Sequence, residues 1–202
     1  MAGALIIGQG GFPNTIAIDG PGASGKNTVG LILAQRLGYR FLDSGAMYRA
    51  LTWHALRLGI DFADEPAIER LATSVRIEVT PVEPAHPHGG LILNGADVTA
   101  DLHRPEVDAK VSLVAQISGV RRILVAQLQS IAVQGGIVMV GRDIGTVVLP
   151  EAGLKLYLDA GAPARARRRH AERLAGGDLA AYEEVLAALE QRDAIDSQRV
   201  DS

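Results

Sequence analysis

Hydrophobic positions change their period several times along the chain, and each change predicts an element. Residues 15–19 (TIAID) are a short apolar run broken at Gly20, the pattern of a strand buried on both faces. From Lys26 onward Val29, Leu33 and Leu37 recur at helical spacing, and Gly38 supplies a stop. RFLD at 40–43 predicts a second strand, and a helix is expected from about Gly45 to Leu58. This β-loop-α-β-α order opens a parallel α/β sheet.

The rhythm then shifts. VRIEV (75–79) alternates apolar and polar, as a half-exposed strand does, and a loop rich in Pro and His follows at 80–90. LILNGADVT (91–99) sets Asn94-Gly95 between apolar residues, the signal of a type I′ hairpin. Together these predict a small antiparallel subdomain inserted in the α/β core. Pro105 suits a first helical turn, and two helices are expected across 105–133. GIVMVG (136–141) and LKLYLDA (154–160) return to the buried-strand pattern. A basic helix (163–175), a Gly176-Gly177 break and an acidic helix (about 179–195) complete the reading, with 1–14 as a loose leader.

Composition narrows the class. The 202 residues are 48% hydrophobic and 21% charged, which suits a folded core. A net charge of −3 provides no global field for nucleic acid or an anionic membrane, and neither is an expected partner. With no cysteine, disulfides, thiolate metal sites and cysteine nucleophiles are excluded. No apolar run is long enough to span a bilayer, and residues 1–14 lack a basic stretch, so the cytosol is the expected location. His86 and His88 have no carboxylate or cysteine nearby in sequence and are read as loop residues rather than metal ligands.

Candidate chemistry begins in the loop Gly20, Pro21, Gly22, Ala23, Ser24, Gly25, Lys26, Asn27, Thr28. It follows a predicted strand and opens a predicted helix, the context in which G-x4-G-K cradles phosphate with backbone N–H groups, a helix N-terminus and a lysine. Asn27 stands where most such loops place a hydroxyl, and Thr28 comes one place later. Further on, FLDSGAMYRAL (41–51) places Ser44 and Gly45 at a helix start with Arg49 one turn inside. VGRDIGTVV (140–148) sets Arg142 and Asp143 at the carboxyl end of a buried strand, where open α/β sheets bind ligands. Arg165, Arg168 and Arg169 fall on one side of the basic helix, as an anion clamp needs, and Arg192, Asp196 and Arg199 share one face of the last.

In this order and spacing, the D-G-P loop, LDSGAMYR, GRDIGTVV, the R-A-R-R-R run and RDAIDSQR resemble the bacterial cytidylate kinases, P-loop nucleoside monophosphate kinases, from about residue 15 to the C-terminus. The resemblance implies a P-loop parallel sheet flanked by helices (15–62 and 134–202, lid at about 163–177). It also implies a monophosphate-binding region at 63–133 that carries the antiparallel insert at about 75–99. It implies transfer of the ATP γ-phosphoryl group to CMP or dCMP with Mg²⁺, by a monomer. On motif position Ser44, Arg49, Ser112, Arg121, Arg142, Asp143, Arg192, Asp196 and Arg199 would contact CMP. The loop residues 20–28 would hold ATP, with Thr28 toward Mg²⁺. Lys26 and the lid arginines 165, 168 and 169 would neutralise the moving charge. Two departures stand out: Asn27 replaces a glycine, and the family usually continues beyond this point by a loop, strand and helix of roughly 20 residues that help form the adenine pocket. A kinase for another small acceptor such as UMP, and a nucleotide-binding protein without turnover, are the alternatives.

Overall fold

The computed structural model describes residues 14–82 and 89–197, with backbone alone at 195–197. Four parallel strands form the main sheet: β1 (Thr15–Asp19), β2 (Arg40–Asp43), β6 (Ile137–Gly141) and β7 (Leu154–Tyr157), in the order β2-β6-β1-β7. β1 and β6 are central and run in register from Thr15 opposite Ile137 to Asp19 opposite Gly141. Their side chains are apolar on both faces because helices cover both.

On one face lies α1 (Lys26–Leu37), whose Ala34 packs with Ile16, Ile18, Val138, Val140 and Phe41. Gly30 permits this approach: a Cβ there would lie 2.7 Å from Val140 Cγ1. The other face carries α2 (Ser44–Arg57) and α5 (Ser118–Val133). Met47, Leu51, Leu124 and Leu128 join Ala17 and Met139 in one cluster, and each fully buried side chain of this size stabilises the fold by about 1.5–3 kcal/mol. The Arg40 guanidinium donates to the carbonyls of Ile131 (3.0 Å) and Gly135 (3.1 Å), pairing acceptors at the end of α5 and fixing β2 to it.

The antiparallel insert is β3 (Ile77–Val79), β4 (Leu91–Leu93) and β5 (Ala96–Asp97). Asn94 (φ 50°) and Gly95 (φ 82°) make the turn the sequence predicts. Leu91, Leu93 and Val98 feed into the same cluster as α2 and α5, so the insert rests on the core. α4 (Pro105–Gln116) packs against α2. α6 (Ala162–Ala175) and α7 (Tyr182–Ser197) pair beside the phosphate loop.

Two differences from the sequence reading have clear causes. α3 (Glu65–Ser74) is present where no helix was expected; Asp64 caps it by accepting from the Ala67 amide, and Ile68, Leu71 and Ala72 are buried. β7 reads as a buried strand but is exposed throughout, with Tyr157 at 71%. It pairs with β1 on one side only and is the edge of the described sheet. The expected Pro/His loop, with His86 and His88, lies mostly outside the described residues.

Candidate active site

Three parallel strands end side by side, and each delivers one segment to a cavity of about 450 Å³. After β1 comes the glycine loop. Gly20 (φ 147°) lies against the backbone of Leu158, where a Cβ would approach the carbonyl oxygen to 2.0 Å. Ala23 (φ 58°) and Gly25 (φ 102°) are both left-handed, which curls the loop back on itself, and the Ser24 amide between them donates to the Pro21 carbonyl at 3.3 Å. A non-glycine residue in that region is strained, and such strain is typical of ligand-holding loops. Lys26, first residue of α1, is buried and donates from Nζ to the Pro21 carbonyl at 2.7 Å. Burial, then the nearby Arg142 charge, lowers its pKa to about 8. The Ser24 hydroxyl is buried with no hydrogen-bond partner among the described residues.

β2 ends in Asp43, which caps α2: its Oδ1 accepts the Gly45 amide at 2.9 Å. Its Oδ2 accepts from the Asn27 side chain at 2.7 Å. Ser44 fits against Gly141, where a Cβ would come within 2.5 Å of the Ser44 oxygen. Arg49 is paired with Asp108 of α4 and donates to the Leu102 carbonyl at 3.2 Å.

Beyond β6, Arg142 and Asp143 enter a π-helical turn (Ile144–Val148). Asp19, at the end of β1, holds that turn by accepting the Ile144 and Gly145 amides at 2.6 and 2.7 Å. Burial pushes the Asp19 pKa up, and these two amides oppose it. Asp143 forms a buried ion pair with Arg121 of α5 at 2.5 Å. A carboxylate beside a guanidinium at the wall of a cavity offers both acceptor and donor to a planar polar ring.

The family model for cytidylate kinase matches residues 16–202. The chain belongs to the cytidylate kinase family. It is 49% identical over 188 residues to the cytidylate kinase of Chloroflexus aggregans, covering 92% of this chain and 81% of that one. Identity to the enzyme of Pelotomaculum thermopropionicum is 45% over 190 residues (93% and 82%). To that of Geobacillus kaustophilus it is 47% over 186 residues (92% and 81%).

Most residues singled out from the sequence of this cytidylate kinase family member meet in the one cavity. Lys26, Asn27 and Thr28 line it from the loop; Ser44, Arg49 and Ser112 line it on the α2–α4 side. Arg121, Arg142 and Asp143 form its back, and Arg168, Arg169 and Arg192 approach from α6 and α7. Pro21 and Ser24 lie in the body of the loop. The Asp196 side chain and all of Arg199 lie outside the described residues.

Arg165 does not join this set. It is 5% exposed and does not line the cavity with Arg168 and Arg169. Its guanidinium donates to the carbonyls of Ala160 (2.7 Å) and Gly22 (3.1 Å) and to Asp193 Oδ2 (2.5 Å). Helical spacing places the three arginines on one side, but the inner edge of that side is packed against α7 and the loop. Arg168 donates to the Ser24 carbonyl at 3.1 Å, while Arg169 pairs with Glu172 along the helix.

Several site residues carried no weight in the sequence reading. Asp43 could have been found as an acidic residue just ahead of Ser44-Gly45 at a helix start. Asp19 and Asp193 act through partners far along the chain, which spacing does not reveal. His103 lines the cavity; burial, then Arg49, holds its pKa below the ordinary histidine value.

Proposed function

We propose that this protein transfers the γ-phosphoryl group of ATP to CMP or dCMP, giving ADP and CDP or dCDP. The observation that carries the reading is that the phosphate loop with Lys26 and the buried Arg121–Asp143 pair line the same cavity. Family membership with named cytidylate kinases supports it.

The residues take complementary parts. N–H groups of the loop from Gly22 to Thr28, together with Lys26, receive the ATP phosphates, and the Ser24 hydroxyl, without a partner among the described residues, is a further donor in that loop. Cytosine presents an exocyclic amine, which the Asp143 carboxylate accepts, and ring acceptors, which Arg121 and Ser112 meet. Ser44, Arg49 and Arg142 orient the monophosphate, with Arg192, Asp196 and Arg199 on the sugar and phosphate. A CMP phosphate oxygen attacks the γ-phosphorus as the bond to the ADP oxygen breaks. That oxygen is already anionic near pH 7, so no general base is required. Catalysis rests on alignment and charge neutralisation, shared by Lys26, Arg168 and Arg169. Thr28 and Asp43 supply hard oxygen donors beside the loop, the set Mg²⁺ takes together with phosphate oxygens. They would hold that ion, which neutralises the β- and γ-phosphates when bound.

The deciding experiment is ADP formation from Mg-ATP with CMP, dCMP, UMP, AMP and GMP offered separately. Turnover strongest with CMP or dCMP is expected. Turnover strongest with UMP would reassign the acceptor, and none with any acceptor would leave a nucleotide-binding protein.

A further inference from the structure

Asn27 is the residue that breaks the usual loop pattern, and its side chain has a definite partner. Nδ2 donates to Asp43 Oδ2 at 2.7 Å, while Oδ1 of the same carboxylate accepts the Gly45 amide at 2.9 Å. The carboxylate therefore joins the first turn of α1 to the first turn of α2. These helices lie on opposite faces of the sheet, in separate hydrophobic clusters. Apolar packing does not set one against the other; the link runs around the carboxyl edge of β2.

Each helix carries half of the proposed reaction site. α1 begins with Lys26 and Thr28, α2 with Ser44 and Arg49. Asn27 and Asp43 also line a second, more apolar cleft of about 510 Å³, walled by Leu31, Phe41, Val79 and Leu91. Both residues line both spaces, so their bond is part of the partition between them. A serine hydroxyl in place of Asn27 is one bond shorter from Cβ and would not span the same gap.

We propose that Asn27 is a positioning residue: its amide latches the phosphate-loop helix to the Asp43 cap, and so holds the donor and acceptor halves of the site in register. The inference rests on the kinase reading above. Aligning two bound reactants contributes to turnover rather than to the affinity of either alone.

The test uses Asn27→Ala and Asn27→Ser, both changes at an exposed helix start, with Asp43→Asn and the double variant to close a cycle. Two readouts are taken: steady-state kinetics with separate ATP and CMP dissociation constants, and hydrogen exchange of the Gly45 amide without nucleotide. The expected result for the two Asn27 variants is a kcat about tenfold lower with each dissociation constant within about twofold. Gly45 exchange should also be faster, and the double variant no worse in kcat than Asp43→Asn alone. Unchanged Gly45 exchange overturns the latch. So does a loss confined to the CMP or ATP dissociation constant, which would make Asn27 an ordinary ligand contact. A wild-type protein that makes no CDP refutes the kinase reading, and the exchange measurement then decides the latch alone.

Discussion

Arg121 of α5 and Asp143 at the end of β6 stand 2.5 Å apart, both buried, at the wall of the cavity that also holds Lys26. Removing Asp143 takes this buried carboxylate away from the Arg121 guanidinium. Asp143→Ala is expected to destabilise the fold by about 3 kcal/mol, the low end for a broken buried pair because the cavity admits water. Urea denaturation measures this. Asp143→Asn keeps the shape and exchanges an acceptor for a partial donor. Its kcat/KM for CMP should fall about 10–100-fold, the value of a hydrogen bond to a charged group. The KM for ATP should stay nearly constant, and the preference for CMP over UMP should shrink. An unchanged preference would remove Asp143 from acceptor recognition.

Lys26 gives a pH prediction with a definite sign. Burial and Arg142 lower its pKa to about 8, so the free protein loses the ammonium charge as pH rises through that value. ATP phosphates favour the charged form. kcat/KM for ATP, which reports the free enzyme, should therefore fall on the alkaline side with an apparent pKa near 8. kcat, which reports the complex, should hold to higher pH. Lys26→Arg, always charged, should remove the alkaline limb whatever its effect on the maximum. Lys26→Ala should cut turnover by about 10²–10³-fold with the fold intact, as for loss of one charge-stabilising donor. A kcat/KM profile flat from pH 7 to 9.5 in the wild type would contradict this account.

What the sequence disclosed, and what it hid, follows from range. α1 is bounded by Gly25 and Gly38, both left-handed, and both ends are readable because caps are local chemistry. The Asn94-Gly95 hairpin is readable for the same reason. The exposure of β7 was not, since strand order in a sheet is a long-range fact and edge and centre share one apolar pattern. In the site, the segments at strand ends could be named from motifs, and most of those residues do face one cavity. The carboxylates that hold them, Asp19 on the Ile144–Gly145 amides and Asp193 on Arg165, are paired across separations that no periodicity encodes.

Gly30 tests the packing of the catalytic helix. A Cβ there would meet Val140 Cγ1 at 2.7 Å and Phe41 Cε2 at 2.9 Å, both in the tight face of the sheet. Gly30→Ala should force α1 outward and cost about 1–3 kcal/mol, as overpacking does, despite alanine's better helix propensity. Thermal melts should show the loss as a Tm lower by about 3–10 °C. Acceptor preference should not move, because the acceptor side is carried by α2, α4 and α5. A stabilised variant would mean that α1 is not seated against β6.

The two arginines three residues apart in α6 should separate cleanly by experiment. Arg165 braces the loop: it holds the Gly22 and Ala160 carbonyls and Asp193, which also lies 3.9 Å from Arg142. Arg165→Ala should lower stability by about 3 kcal/mol through the loss of its bonds to two carbonyls and to the Asp193 carboxylate. Arg165→Ala with Asp193→Ala should recover part of that loss, since both members of the pair are gone. Arg168 is exposed, donates to the Ser24 carbonyl at 3.1 Å and lines the cavity. Arg168→Ala should leave Tm within about 2 °C, as surface changes do. Its kcat should fall by about 10²-fold or more, as when one preorganised donor to a developing charge is removed. Denaturation and steady-state kinetics on the same samples decide it. If Arg165→Ala lost turnover with no loss of stability, both arginines would act on the transferring group and α6 would present them together.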